Sequence, residues 1–169
     1  MKSAEIAIVP ATTPAIGPHP GNVFGMGKFV PKIAVAHDIP YVATASVADL
    51  HDLEAKVMRA MAIKGARYLH VLVPCPLGWG SASHDTIRLA RLAVESGLFP
   101  VFEAVNGKVT EVRKIRHRTP VAEYLKLQRR FAHLFKGDAV DPRVARLQAM
   151  CDANIEEYGL IETPPAGAA

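Results

Sequence analysis

The residues with the clearest chemical potential lie in the run Val71-Leu72-Val73-Pro74-Cys75-Pro76-Leu77-Gly78-Trp79. Cys75 stands between two prolines, whose rings fix the backbone and which donate no amide hydrogen. Gly78, three residues on, leaves room for another group to approach closely. A thiolate on such a pre-ordered loop loses little entropy when it binds a metal, so Cys75 is a candidate metal ligand. The competing reading is a buried, inert thiol, which is common in protein cores. Cys151, spaced with Val144, Leu147 and Ile155, reads as an inert thiol on an apolar helix face.

Other signals fail on inspection. Gly25-Met26-Gly27-Lys28 hints at a phosphate loop, but Asn22 stands where the first glycine belongs and Phe29 where Ser or Thr belongs. Gly137-Asp138 lacks the second glycine of a thiamine-site motif. The seven histidines have no paired metal spacing, and His70 in an apolar strand reads as a satisfied core residue. No G-x-S-x-G elbow occurs. The stretch from Lys108 to Lys136 holds nine Lys or Arg against two Glu. Three readings stay open for it: a solvated face, a docking patch for an acidic electron carrier, or a nucleic-acid site. Scarce aromatic residues among the arginines argue against single-strand stacking.

The elements that must position Cys75 follow from hydrophobic spacing. Residues 1–32, with Pro10, Pro14, Pro18, Pro20 and Pro31, read as an extended arm carrying a short strand at Ile6–Val9. A helical turn at Ile33–His37 precedes a buried strand at Tyr41–Ala45. Leu50, Leu53, Val57 and Met61 make one face of a helix that Gly65 stops. Tyr68–Val73 is a second buried strand, so Cys75 sits at a strand's C-terminal end, where α/β sheets gather their ligands. A helix from His84 to Ser96, a strand at Phe99–Val105, the turn Asn106-Gly107 and a returning strand at Lys108–Ile115 follow. Val121, Tyr124, Leu125, Gln128, Phe131 and Phe135 share a further helical face. Asp141-Pro142 opens the last helix.

The alternation of strand and helix predicts an α/β fold with a mostly parallel sheet and an antiparallel hairpin edge. Residues 33–136 form its core, 137–162 the C-terminal helix, and 163–169 a disordered tail.

The chain has 169 residues, 50% hydrophobic and 21% charged, with a net charge of +4. That length suits one domain, and the composition excludes a wholly disordered chain. Two cysteines exclude a disulfide framework and a four-thiolate site built from this chain alone. No apolar run approaches the ~18 residues of a membrane span. Met1-Lys2-Ser3-Ala4-Glu5 makes a poor signal peptide, so a cytoplasmic location is expected, with no membrane and no nucleic-acid partner.

Four blocks occur in one order: Pro40–Ser46, His70–Trp79, Ala90–Gly97 with Phe99-Pro100, and Pro120–Phe131. Together, from about residue 30 to residue 135, they resemble the β subunit of 2-oxoacid:ferredoxin oxidoreductases of the pyruvate synthase type. The resemblance implies part of a thiamine-diphosphate-binding fold. It matches Cys75 to the last of that family's four [4Fe-4S] ligands. Thr12-Thr13-Pro14 resembles a segment that runs toward the thiamine, so Thr12 and Thr13 are candidate residues near that cofactor. No catalytic residue is implied. The family's other three cluster cysteines and its G-D-G…N motif, which carries Mg2+ and the diphosphate, are absent from this sequence. The likeness is therefore to the C-terminal half of the subunit. The implied partners are the remaining subunits of a heteromeric enzyme, including the part with the G-D-G motif and the other cysteines, and ferredoxin. The isolated chain is expected to be inactive.

Overall fold

The computed structural model describes residues 29–136 and 141–161. Thr12, Thr13, the Ile6–Val9 stretch and the 163–169 tail lie outside the described residues. Helices and strands alternate: α1 (Val30–Ala36), β1 (Tyr41–Ser46), α2 (Leu50–Ala62), β2 (Arg67–Leu72), α3 (Pro76–Trp79), α4 (Thr86–Glu95), β3 (Phe102–Val105), β4 (Lys108–Val112), α5 (Val121–Lys126) and α6 (Pro142–Tyr158). Short 3-10 turns at Ser83–Asp85 and Arg129–Phe135 link them. The four strands form one sheet in the order β2-β1-β3-β4. The architecture is α/β, consistent with part of the thiamine-diphosphate-binding fold.

β1 is buried along its whole length because both of its faces are covered. On one face Tyr41 and Ala43 pack with Ala60 of α2. On the other, Val42 packs with Phe102, Ala104 and the α1 side chains Ala34 and Val35. Tyr158, at the end of α6, stacks on Phe102 with ring centroids 5.1 Å apart. The one hydroxyl in the middle of this strand is fully engaged. Thr44 Oγ1 donates to the Pro100 carbonyl at 2.8 Å and accepts the Phe102 amide at 2.9 Å.

β1 and β2 pair in parallel, with Ser46 opposite Leu72. The hairpin of β3 and β4 is antiparallel, as the Asn106-Gly107 turn requires. The sheet departs from the expected proportions at β3, which runs antiparallel to β1. α4 buries Leu89, Leu92 and Ala93 in a cluster with Leu72 of β2, with Val121, Tyr124 and Leu125 of α5 and with Val144, Leu147 and Cys151 of α6. Gly97 then turns the chain with a φ of 79°, and β3 enters from the opposite end.

α2 forms where the spacing predicts, with the Asp49 side chain capping it through the Asp52 amide at 3.0 Å. Its buried face differs from the apolar one, however. Lys56 and Ala60 point inward, while Leu50 is 68% exposed and Met61 70%. Lys56 is tolerated there because its ammonium donates to the Thr44 carbonyl at 3.0 Å and to Asp52 at 2.7 Å.

The hairpin turn holds a position that tolerates little change. Asn106 and Gly107 both have positive φ, 45° and 76°. A β-carbon on Gly107 would collide with the Asp38 carboxylate. Gly107→Ala is therefore expected to lose about 2 kcal/mol of stability, read as a lowered urea midpoint with an unchanged denaturant slope.

Candidate functional site

Cys75 emerges at the C-terminal end of β2, three residues past Leu72. Its side chain is exposed, so the inert-core reading does not hold for it. Cys75 is the N-cap of α3, and its Sγ accepts the Gly78 amide at 3.4 Å. The Cys75 carbonyl accepts the Trp79 amide at 2.9 Å. A β-carbon on Gly78 would stand 3.3 Å from Sγ, so the glycine keeps the space beside the sulfur clear.

Trp79 fixes the far end of this turn. It is buried, with its ring edge-on to Tyr124 at 6.4 Å and the Arg130 guanidinium 4.2 Å above it. Gly80 adopts a left-handed conformation, where a β-carbon would come within 2.8 Å of Arg129 Cβ. Its carbonyl accepts the Arg129 amide at 3.3 Å. The loop is thus held from below by α5 and the 3-10 turn after it, while its upper side is open. Leu77, between the cysteine and the glycine, is 97% exposed.

The C-terminal ends of β1 and β2 coincide, and the Val47 amide donates to the Leu72 carbonyl at 3.2 Å. Beside the end of β1 lies a broad cleft of about 1140 Å³, lined by Ser46, Asp49, Arg91, Glu95, Arg113 and Lys114 among others. Its charges are of both signs, and Arg113 pairs with Asp49. The Asp52 amide, and then Arg113, hold the Asp49 carboxyl below the usual carboxylate range.

The basic stretch is also drawn into internal contacts. Lys114 donates to the Gly159 carbonyl at 2.6 Å, Arg118 pairs with Asp152, and Lys126 pairs with Glu123 at 3.1 Å. This favours a solvated, internally paired face over a single open patch. His70 is half-buried and shares a 2.8 Å hydrogen bond with Tyr68; burial pushes its pKa down.

Among the described residues no group of three or more His, Cys, Asp or Glu is placed to hold a metal ion. Cys151 cannot join Cys75, since it lies fully buried in the α4–α5–α6 cluster. Burial pushes its thiol up to about 12. Of the two cysteines, one therefore offers an accessible thiol, on a rigid turn. The supporting roles of Gly80 and Arg130 were not legible beforehand. The glycine after Trp79 was a usable signal for the first, but nothing in the sequence links Arg130 to a ring fifty-one residues away. Among the described residues no helix is long and apolar enough to cross a membrane.

Over most of its length the chain is a relative of the β subunits of 2-oxoacid:ferredoxin oxidoreductases. Pyruvate synthase subunit PorB of Methanosarcina barkeri is 43% identical over 133 residues, which are 79% of this chain and 45% of that protein. The PorB of Methanocaldococcus jannaschii is 41% identical over 133 residues, 79% of this chain and 43% of its own length. Ketoisovalerate oxidoreductase subunit VorB of Pyrococcus abyssi is 42% identical over 113 residues, 66% of this chain and 36% of that subunit. The chain spans about half the length of the relatives it matches, or less. No protein-family model matches it.

Proposed function

We propose that the chain is part of a cytoplasmic, heteromeric 2-oxoacid:ferredoxin oxidoreductase, to which it contributes Cys75 as one ligand of a [4Fe-4S] cluster. The complete enzyme would oxidatively decarboxylate pyruvate or a related 2-oxoacid to an acyl-coenzyme A and pass the electrons to ferredoxin. The carbon chemistry belongs to thiamine diphosphate with Mg2+, held by the portion carrying the G-D-G motif. The observation that carries this reading is the exposed Cys75 thiol on a fixed turn at the C-terminal end of the parallel strands. A cubane cluster takes about four thiolates, so the others must come from outside the described residues.

This chain's own part is to hold a sulfur still. Pro74 and Pro76 limit its backbone, Trp79 anchors the turn, and the Gly78 amide points at Sγ. An amide donated to a ligating sulfur is one of the interactions that set a cluster's potential. Thr12 and Thr13 are proposed to lie near the thiamine.

A second reading is supported by the share of the relatives that the chain matches, 45% of the M. barkeri subunit. In it the chain is a non-catalytic assembly module of such a complex. The neighbouring reading frames separate the two. A partner with G-D-G and three further cysteines supports the split enzyme, and an intact second β subunit supports the module.

The decisive experiment is Cys75→Ala in the reconstituted complex. It should bleach the visible absorption of one cluster and strongly slow electron delivery to ferredoxin, while the isolated wild-type chain should purify without stoichiometric iron. Unchanged iron content in the variant complex removes the assignment.

A further inference from the structure

We propose that Asn106 is a self-modifying site, at which the Gly107 backbone nitrogen converts the asparagine to aspartate and isoaspartate and so loosens the β3–β4 hairpin. Asparagine side-chain amides are among the thermolabile groups of proteins. The chain has three of them, Asn22, Asn106 and Asn154, and Asn106 alone is followed by glycine. Glycine brings no side chain to crowd its own nitrogen, and Asn106 is exposed at the tip of the turn. The other two are poorly placed for the same chemistry. Asn22 precedes Val23 and Asn154 precedes Ile155, both β-branched and stiff beside the backbone. Asn154 also donates Nδ2 to the Gly97 carbonyl at 2.9 Å. Ile155 lies inside α6, where its amide is committed to the helix.

The reaction needs only the chain and water. The Gly107 nitrogen attacks Asn106 Cγ. A new N–C bond closes an imide ring, the Cγ–Nδ2 bond breaks, and the Gly107 amide proton leaves with Nδ2 as ammonia. One water then opens the ring. Cleavage of the bond from nitrogen to Cγ leaves an aspartate with the main chain as before. Cleavage of the bond from nitrogen to the main-chain carbonyl leaves isoaspartate, in which the main chain runs through the side chain. Nothing is oxidised or reduced.

The turn has little room for either product. Val105 pairs with Lys108, so only Asn106 and Gly107 span the loop, and both are left-handed. The Asn106 amide donates to the Pro40 carbonyl at 3.3 Å, and Val105 stands opposite Tyr41 of β1. Isoaspartate adds a methylene to the main chain, which a two-residue loop cannot absorb without disturbing the strand register. Both products also add a carboxylate to a turn where the Asp38 carboxylate already lies against Gly107. Like charges there oppose each other. The damage falls where α1, β1 and the hairpin meet.

The test is prolonged incubation of the native 169-residue chain in neutral buffer at physiological temperature, followed by peptide mapping with mass spectrometry. Loss of the amide at Asn106 is expected, while Asn22 and Asn154 keep theirs. An isoaspartyl methyltransferase with labelled S-adenosylmethionine should label the incubated chain and leave the fresh chain unlabelled. The acidic form, separated by ion exchange, should unfold at a lower urea midpoint than fresh protein. Asn106→Gly, which the left-handed backbone admits, should show no acidic form and no shift in midpoint after the same incubation. An Asn106 amide that persists in the native chain overturns the proposal, whether or not the chain held in urea loses it. Equal loss at Asn22 or Asn154 overturns it as well, and so does an acidic form with an unchanged urea midpoint. None of these readouts depends on Cys75 or on a bound partner.

Discussion

Glu103→Ala is expected to lower the stability of the chain by about 3 kcal/mol. The Glu103 side chain is buried on β3 and accepts from three donors. Tyr41 donates its hydroxyl at 2.5 Å, Arg59 donates Nε at 2.8 Å, and Arg59 Nη2 closes a bidentate pair. Truncation strands the Tyr41 hydroxyl, which is buried under α2. It costs less on the other side, because Arg59 is half-exposed and water can replace its partner. Tyr41→Phe should therefore cost only about 1 kcal/mol, and a double-mutant cycle should show strong coupling. The pH dependence has a definite sign. Burial pushes the Glu103 carboxyl up, but the hydrogen bonds from Arg59 and Tyr41 and the nearby charges outweigh it, so its pKa lies below the usual value. A depressed carboxylate stabilises the fold above its unfolded pKa of about 4.3, and the contribution disappears as the pH falls through the folded value. The gap between wild type and Glu103→Ala in urea midpoint should be full at neutral pH and narrow under acid conditions. A gap that widens on acidification would contradict the assignment.

Trp79→Ala is expected to cost about 3–5 kcal/mol, the range for removing a large buried aromatic. The ring joins the Cys75 turn to the cluster that α4, α5 and α6 share. It also lies under Arg130, whose guanidinium is 4.6 Å from the Phe131 ring as well. Loss of the indole should release residues 73–82 before the rest of the chain unfolds. Limited proteolysis should then cut within that segment under conditions where the wild type resists. Trp79→Phe, which keeps an aromatic edge toward Tyr124, should restore most of the resistance. If Trp79→Ala leaves both the urea midpoint and the cleavage pattern unchanged, the anchoring role is refuted.

Much of this molecule could be read from local sequence because local rules governed it. β1, the Asn106-Gly107 hairpin, the Asp141 cap and the buried face of α6 all formed where propensity and spacing pointed, and β2 formed there half-buried, where a buried strand was expected. Two features escaped because they depend on distant packing. The direction of β3 relative to β1 is one, since the amphipathic pattern of α4 does not specify which way the following strand enters the sheet. The apolar face of α2 was legible as a stripe, but the stripe was not the buried side. Periodicity identifies the side that avoids water without saying which neighbour removes it from water. At the site, the prolines around Cys75 announced a rigid turn, and the structure places its thiol at the surface, outside the core. The clamp of Arg129 and Arg130 on that turn is a long-range contact with no local signature.

The contrast between the two thiols gives the chain a built-in handle. Cys75 is open to solvent, and Cys151 is sealed in the core with a thiol that resists ionisation. A maleimide or nitroxide reagent should therefore modify the native protein once, and twice only after denaturation. The wild-type polypeptide can carry a single spectroscopic reporter at the very turn in question, with no engineered background.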